Sequence, residues 1–401
     1  MELHELRIAL KAIRVHKHLM CDPVMTAFTA LLDALHTNQA EQALERYTDL
    51  YFALQEQQCA HPGAWLEQAL FYRESPYSQA LALEQVSDSL LDAVAADLAT
   101  FSALSTLECD RLVSAIAPLL DARDAAVLDT LPRWNTCPAP TMEQLTAFYK
   151  VHGAGLFARY RAFLWENGEL IPVAQPDCPK PEELLGYEMQ RAQVVANTRA
   201  LLEGHRVNNV LLFGDSGTGK SATVKSLISL PGFDSLRLIE VQKDGLSDLT
   251  RLIRSLRSKP QKFILFIDDL AFDQDDKVFS ALKSILEGGL EPRPVNVAVY
   301  ATSNRRHLVR QTFSERAGEE VDTFETIAEK TALSERFGLR IPYQNMDKKG
   351  YLALVDHLAG LEGITMDAEQ LHALAMKWDI RHGGRTPRSA RQFIASLSVE
   401  E

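Results

Sequence analysis

The stretch Val207-Asn208-Asn209-Val210-Leu211-Leu212-Phe213-Gly214-Asp215-Ser216-Gly217-Thr218-Gly219-Lys220-Ser221 decides the fold. From Gly214 to Ser221 it spells Gly-x-x-x-x-Gly-Lys-Ser, the pattern of a loop that cradles phosphate. An apolar strand over 210–213 delivers the chain to a sharp turn. The glycines there let backbone N–H groups point inward at phosphate oxygens. Lys220 adds a mobile positive charge, and Ser221 offers a hydroxyl to a divalent cation. The helix that follows, amphipathic through Ala222, Val224, Leu227 and Ile228, aims its N-terminus at the same anion.

The chain has 401 residues, enough for two or three domains. No apolar run approaches the length of a membrane span. Residues 1–20 scatter charges and histidines where a secretory signal would have a basic start and an apolar centre. A cytoplasmic location, with no membrane partner, is the expectation. The five cysteines are widely spaced with no Cys-x-x-Cys pair, which argues against metal clusters and a disulfide framework. Charge is uneven: residues 1–170 carry 12 basic and 22 acidic side chains, against 30 and 32 in the remainder. An acidic amino-terminal half repels nucleic acid and anionic membranes. It suits solubility or protein contacts.

Residues 1–170 read as an all-helical region. Leu3, Leu6, Leu10, Ile13 and Val15 recur at helical spacing, as do Ala27, Phe28, Leu31, Leu32 and Leu35. Further helices are expected over 39–57, 63–73, 78–104, 106–120 and 141–167. The aromatic group Phe148, Tyr149, Phe157, Tyr160, Phe163 and Trp165 reads as a core face, with a partner-binding stripe as the alternative. Residues 171–182, rich in proline, read as a linker. Short apolar runs then alternate with helical ones, with strands expected at 210–213, 236–241, 263–267, 295–301 and 338–341. Helices are expected between them at 219–230, 247–257, 277–286 and 326–335. That alternation predicts an α/β domain over 183–344, a five-stranded parallel sheet with helices on both faces. Residues 345–401 form a helical lid, with helices at 350–361, 367–379 and 387–397.

Two carboxylates, Asp268-Asp269, end the apolar run over 263–267. One carboxylate is needed to hold Mg²⁺ and a second to orient the attacking water. The next strand ends in Thr302-Ser303-Asn304, and in a parallel sheet every carboxyl end opens on the same edge. Asn304 therefore reaches a terminal phosphate or the lytic water, or else is a polar cap. Arg336 falls before the last short strand. Arg385, Arg388 and Arg391 gather at the start of the final helix, and guanidinium suits phosphate because it is planar, always charged and bidentate.

Together these features resemble the AAA+ P-loop ATPases. Leu185-Gly186-Tyr187-Glu188, Leu286-Glu287-Gly288-Gly289-Leu290-Glu291 and the run from Tyr300 to Leu308 resemble one uncharacterised bacterial AAA+ family in particular. The likeness spans roughly 146–397. It implies that Leu185, Gly186 and Tyr187 line an adenine pocket. Gly214, Asp215, Ser216, Gly217, Thr218, Gly219, Lys220, Ser221 and Ala222 would hold the phosphates of ATP. Ser221 and Asp268 would hold Mg²⁺, with Asp269 and Asn304 (the sensor-1 position) on the water. Arg336 resembles the finger that reaches a neighbouring subunit's γ-phosphate, which implies a homo-oligomer. Arg388 resembles sensor 2 in the lid, with Arg391 as the second choice. The pair Asp268-Asp269 departs from the usual Asp-Glu. Aspartate is one methylene shorter, so fast hydrolysis is less assured than ATP binding. The resemblance implies an ATP hydrolase that remodels or switches a protein partner held by the helical amino-terminal region. A nucleotide-gated scaffold is the alternative, and a DNA-linked loader ranks below both. A threading motor would show an aromatic-glycine pore loop, and Lys243-Asp244-Gly245-Leu246 has no aromatic residue.

Overall fold

The computed structural model describes residues 1–180, 184–270, 286, 292–304 and 335–397. The chain divides into two compact units, Met1–Arg159 and Tyr160–Glu401.

The first unit is helical. Its helices are α1 (Leu3–Lys11), α2 (Pro23–His36), α3 (Ala40–Glu56), α4 (Pro62–Tyr72), α5 (Pro76–Ala82), α6 (Asp88–Ser105), α7 (Cys109–Ile116), α8 (Met142–His152) and α9 (Leu156–Arg159). Prolines sit in the first turn of α2, α4 and α5, where a missing N–H costs nothing. The helix expected over 78–104 is broken between α5 and α6, with Glu84 at φ +55°. Apolar residues such as Phe28, Leu31, Tyr47, Trp65, Leu66 and Phe101 share one core. A carboxylate lies inside it. Asp97 is fully buried and accepts the backbone N–H of Arg14 at 3.0 Å, of Val15 at 2.9 Å and of His16 at 3.0 Å. The His16 ring nitrogen Nδ1 lies 3.2 Å away. Burial pushes the Asp97 pKa up, but these hydrogen bonds outweigh it and hold the carboxyl below its ordinary value.

The second unit is built on one sheet. Its strands are β1 (Ala162–Glu166), β2 (Glu169–Val173), β3 (Val210–Gly214), β4 (Leu236–Val241), β5 (Lys262–Ile267), β6 (Val297–Ser303) and β7 (Leu339–Tyr343), in the spatial order β2-β1-β4-β5-β6-β3-β7. The five parallel strands expected are β3 to β7. The register sets Val210 beside both Tyr300 and Leu339, and Ile264 beside Ala298. Residues of both strand faces are buried, Leu212, Ile264 and Phe266 on one and Leu211, Phe263 and Leu265 on the other. That is why these strands read as continuous apolar runs with no alternation. The first face packs with Val194 and Leu201 of α10 (Glu188–Leu202) and Val224 of α11 (Lys220–Lys225). Helix α12 (Leu249–Leu256) buries Leu249, Leu252, Ile253 and Leu256. The lid helices α13 (Lys348–Leu361), α14 (Ala368–His382) and α15 (Pro387–Leu397) close their own core around Tyr351, Val355, Leu371, Ala375 and Phe393.

Residues 153–173 depart from expectation. The helix expected over 141–167 stops at His152, where Gly153 takes φ +66°. The chain then forms the β1–β2 hairpin, so the helical unit ends at Arg159 and not at 170, and the first residues of the expected linker are a strand. The cause is local. Asn167 and Gly168 adopt φ +51° and +76°, the left-handed pair that a two-residue hairpin turn needs. Strand β1 also lies parallel to β4, with Phe163 beside Ile239. Phe163 and Trp165 are core residues, as read, but at strand spacing. The helices expected over 277–286 and 326–335 lie outside the described residues, apart from Leu286 and Glu335. So do the basic run from Arg305 and the segment 313–331. Among the described residues no single helix is long and apolar enough to cross a membrane.

Replacing Asp97 with Ala strands three N–H groups, two of them buried. It is expected to destabilise the helical unit by about 3 kcal/mol or more, with Asp97→Asn milder because one acceptor oxygen remains. Chemical denaturation followed by circular dichroism measures this. An unchanged midpoint for the alanine variant would contradict the role assigned to the carboxylate.

Candidate functional site

Strand β3 hands the chain to its loop at Gly214, where φ is +134°. No side chain fits there, because a Cβ would lie 2.0 Å from the carbonyl oxygen of Tyr343. The same carbonyl accepts the Asp215 N–H at 2.9 Å. The loop is thus laid against the end of β7. Its outer side meets the lid, where the Arg388 N–H at the start of α15 donates to the Gly217 carbonyl at 3.2 Å. The Asp215 carboxylate accepts the Asn345 N–H at 2.9 Å, joining the loop to the segment that leads into the lid.

Lys220 is buried and turns back under the loop. Its Nζ donates to the carbonyls of Gly214 at 3.0 Å and Asp215 at 2.7 Å, and to Asn304 Oδ1 at 2.9 Å. Burial pushes the ammonium pKa down, and the carboxylates of Asp215, Asp269 and Asp268 oppose that shift.

Strand β5 ends beside the loop. Ser221 Oγ donates to Asp268 Oδ1 at 2.6 Å, and Thr302 Oγ1 donates to the same oxygen at 2.5 Å. Asp269 sits in the left-handed region, φ +49°, which L-residues adopt at a cost of about 1–2 kcal/mol. Its Oδ1 accepts Asn304 Nδ2–H at 2.9 Å. Asn304 therefore bridges Lys220 and Asp269, with its oxygen toward the cation and its nitrogen toward the carboxylate.

The far end of the cleft is aromatic. Tyr187, with φ +57°, stacks on Tyr343 with centroids 4.9 Å apart and planes at 28°. Its hydroxyl donates to the Gln344 carbonyl at 2.6 Å. Burial pushes both phenols up to about 12, so they remain neutral. Arg191, one turn into α10, donates to the Leu184 carbonyl and pins the approach to Leu185.

These parts enclose a cleft of about 550 Å³, within the range of small-molecule sites. Leu185, Gly186, Tyr187, Ser216, Gly217, Thr218, Gly219, Lys220, Ser221, Ala222, Asp268, Asp269, Asn304 and Arg388 all line it, and so does Arg391. Gly214 and Asp215 lie outside its lining and shape the loop from beneath. Arg336 is exposed and also outside the lining. Residues that sequence reasoning passed over line it as well: Thr302, Tyr343, Arg191 and Gln392. A signal existed for three of them. Thr302 stands two residues before Asn304 on one strand, and Gln392 four after Arg388 on one helix. Tyr343 ends the last parallel strand. Lysine, arginine and two carboxylates share its lining, an arrangement suited to a polyanion carried with a divalent cation. Among the described residues no group of three or more His, Cys, Asp or Glu side chains could hold a metal unaided.

The family profile described as Protein of unknown function (DUF815) matches residues 158–401. No curated protein matches the chain. Among solved structures, the Thermotoga maritima RuvB Holliday junction branch migration motor is 17% identical, with a TM-score of 0.38 over 54% of this chain and 63% of that one. A variant of the same motor is 18% identical, with a TM-score of 0.39 over 55% of this chain and 65% of that one. The chain thus spans a little under two thirds of the length of these proteins.

A methyl group at Gly214 meets backbone, which cannot swing aside as a flexible side chain would. Gly214→Ala is expected to cost the α/β unit about 3 kcal/mol through overpacking and backbone strain. Calorimetry should show a matching fall in its melting temperature, and a wild-type melting curve would contradict the close approach.

Proposed function

The chain belongs to the family described as Protein of unknown function (DUF815), and we propose that this member is an AAA+ ATPase that binds ATP with Mg²⁺ in the cleft and hydrolyses it. The observation that carries this reading is the 2.6 Å hydrogen bond between Ser221 Oγ and Asp268 Oδ1. It brings the hydroxyl that follows the phosphate-loop lysine to the carboxylate that ends β5, the next apolar strand but one in the sheet. The residues fit the ligands. Gly217 and Gly219 of the loop line a cleft of sufficient size, and Lys220, Arg388 and Arg391 supply positive charge along it.

In this reading the adenine lies at Leu185, Gly186 and Tyr187. The backbone from Ser216 to Ala222 and the Lys220 ammonium hold the phosphates. Ser221 and Asp268 would hold Mg²⁺, which when bound neutralises charge on the β- and γ-phosphates. Asp269 and Asn304, already 2.9 Å apart, orient the water for in-line attack. Lys220 and Arg388 stabilise the charge that develops as the phosphoryl group transfers. Arg336 stands outside the cleft of its own chain. This placement supports a role at the site of a neighbouring copy, and so a homo-oligomer with sites at subunit interfaces. A protein client held by the helical unit and work in the cytoplasm complete the reading, with no part for nucleic acid or membrane.

A second reading, a nucleotide-gated scaffold with slow hydrolysis, is favoured by one observation. Asp269 carries the short carboxylate in a left-handed turn and is tied by Asn304 to Lys220. Hydrolysis in that case only resets an ATP-held assembly. Single-turnover hydrolysis measured beside molecular size with and without ATP separates the two. Fast steady-state turnover without a partner supports the motor and counts against the switch.

A trans arginine contributes about 10³–10⁵ in rate. Arg336→Ala is therefore expected to reduce turnover by about a thousandfold or more while ATP affinity is retained. Phosphate release assays with equilibrium nucleotide binding test this, and normal turnover in the variant would remove the interface mechanism.

A further inference from the structure

We propose that Thr302 is a positioning residue that holds both carboxylates of the β5 terminus in working geometry. The inference rests on the ATPase reading and concerns how its carboxylates are kept in place. Thr302 is almost fully buried at the end of β6, beside Leu212 of the phosphate-loop strand, and it lines the cleft. Its hydroxyl sits between the two aspartates. It accepts the Asp269 N–H at 2.9 Å and donates to Asp268 Oδ1 at 2.5 Å. The direction of this relay is set by chemistry. A backbone N–H can only donate, so the one hydroxyl proton of threonine is left for the carboxylate.

The backbone of the same residue completes the clamp. The Leu270 N–H donates to the Thr302 carbonyl at 2.7 Å. Side chain and main chain of Thr302 therefore grip the peptides on both sides of Asp269, which holds the left-handed conformation, φ +49°. Residues other than glycine seldom adopt that region, and aspartate does so where local hydrogen bonds support it. Held there, Asp269 directs its carboxylate to Asn304 Nδ2. On the other side, Asp268 Oδ1 takes two hydroxyl donors, Thr302 and Ser221, and the carboxylate is fixed against the loop. A buried hydroxyl needs partners. Both capacities of this one are spent on the residues assigned to the metal and the water, whereas packing alone would be served equally well by valine.

The test compares Thr302→Val and Thr302→Ser in the full chain. Three readouts are taken: single-turnover hydrolysis of ATP, the Mg²⁺ concentration for half-maximal rate, and Mg²⁺-free binding of a fluorescent ATP analogue. The valine variant keeps shape and loses the relay. It is expected to hydrolyse at least tenfold more slowly and to need several-fold more Mg²⁺, with Mg²⁺-free nucleotide affinity within twofold of the parent. The serine variant should recover to within threefold of the parent in rate and Mg²⁺ requirement. Parental rate and Mg²⁺ requirement in the valine variant would overturn the inference and leave the ATPase reading intact. So would a loss of Mg²⁺-free binding that serine fails to restore, the mark of a packing role. Failure of the unaltered chain to bind ATP at all would overturn the ATPase reading, and this inference with it.

Discussion

Parallel strands in one sheet must all end on the same edge, and that constraint organises the second unit. Five strands from β3 to β7 run together, with the phosphate-loop strand between β6 and β7. Its loop therefore opens beside the polar end of β6 and within reach of β5. Asp268, Asp269, Thr302, Asn304 and Tyr343 are scattered over 76 positions of sequence. They converge on Lys220 and Ser221 because register leaves them nowhere else to go. The apolar cores of both sheet faces hold that register, since a slip of one residue would turn buried side chains to the wrong face.

The site is joined to the end of β7 and to the lid by short contacts that involve mostly backbone. Gly214 meets Tyr343, Gly217 accepts from Arg388, and Asp215 accepts from Asn345. The Met346 N–H also donates to the Arg385 carbonyl at 2.9 Å. The loop, the start of the lid and the final helix are thus linked by backbone groups and the Asp215 carboxylate. A shift of the loop has a direct physical route to the start of α15. Asn304 adds a second link inside the cleft, holding the cation and the outer carboxylate to each other.

Most of this was legible in the sequence for a simple reason. A buried parallel strand is a continuous apolar run, and the residues that end it are polar because they open on the ligand edge. The runs before Gly214, Asp268 and Asn304 could hardly be read otherwise. The β1–β2 hairpin was not legible by the same rule. Phe163 and Trp165 followed a helical stretch of aromatics whose spacing carried the reading past Gly153. The better signal was the Asn167-Gly168 pair, which specifies a tight hairpin turn through two left-handed residues. Pro172 suits a linker by composition but lies in the edge strand β2, where a sheet tolerates proline. The spacing of Thr302 from Asn304 marks only the edge it shares, whereas its two hydrogen bonds to the β5 terminus leave no trace along the chain. The left-handed turn at Asp269 has no sequence signature either, since aspartate takes ordinary backbone conformations at most positions.

The central claim is that the cleft beside Ser221 and Asp268 takes ATP together with Mg²⁺. Isothermal titration of ATP into the full chain, with and without Mg²⁺, tests it most directly when run beside Lys220→Ala. A single site of micromolar strength or better is expected, strengthened by Mg²⁺ and at least tenfold weaker in the alanine variant. Equal affinity in the two proteins would contradict it.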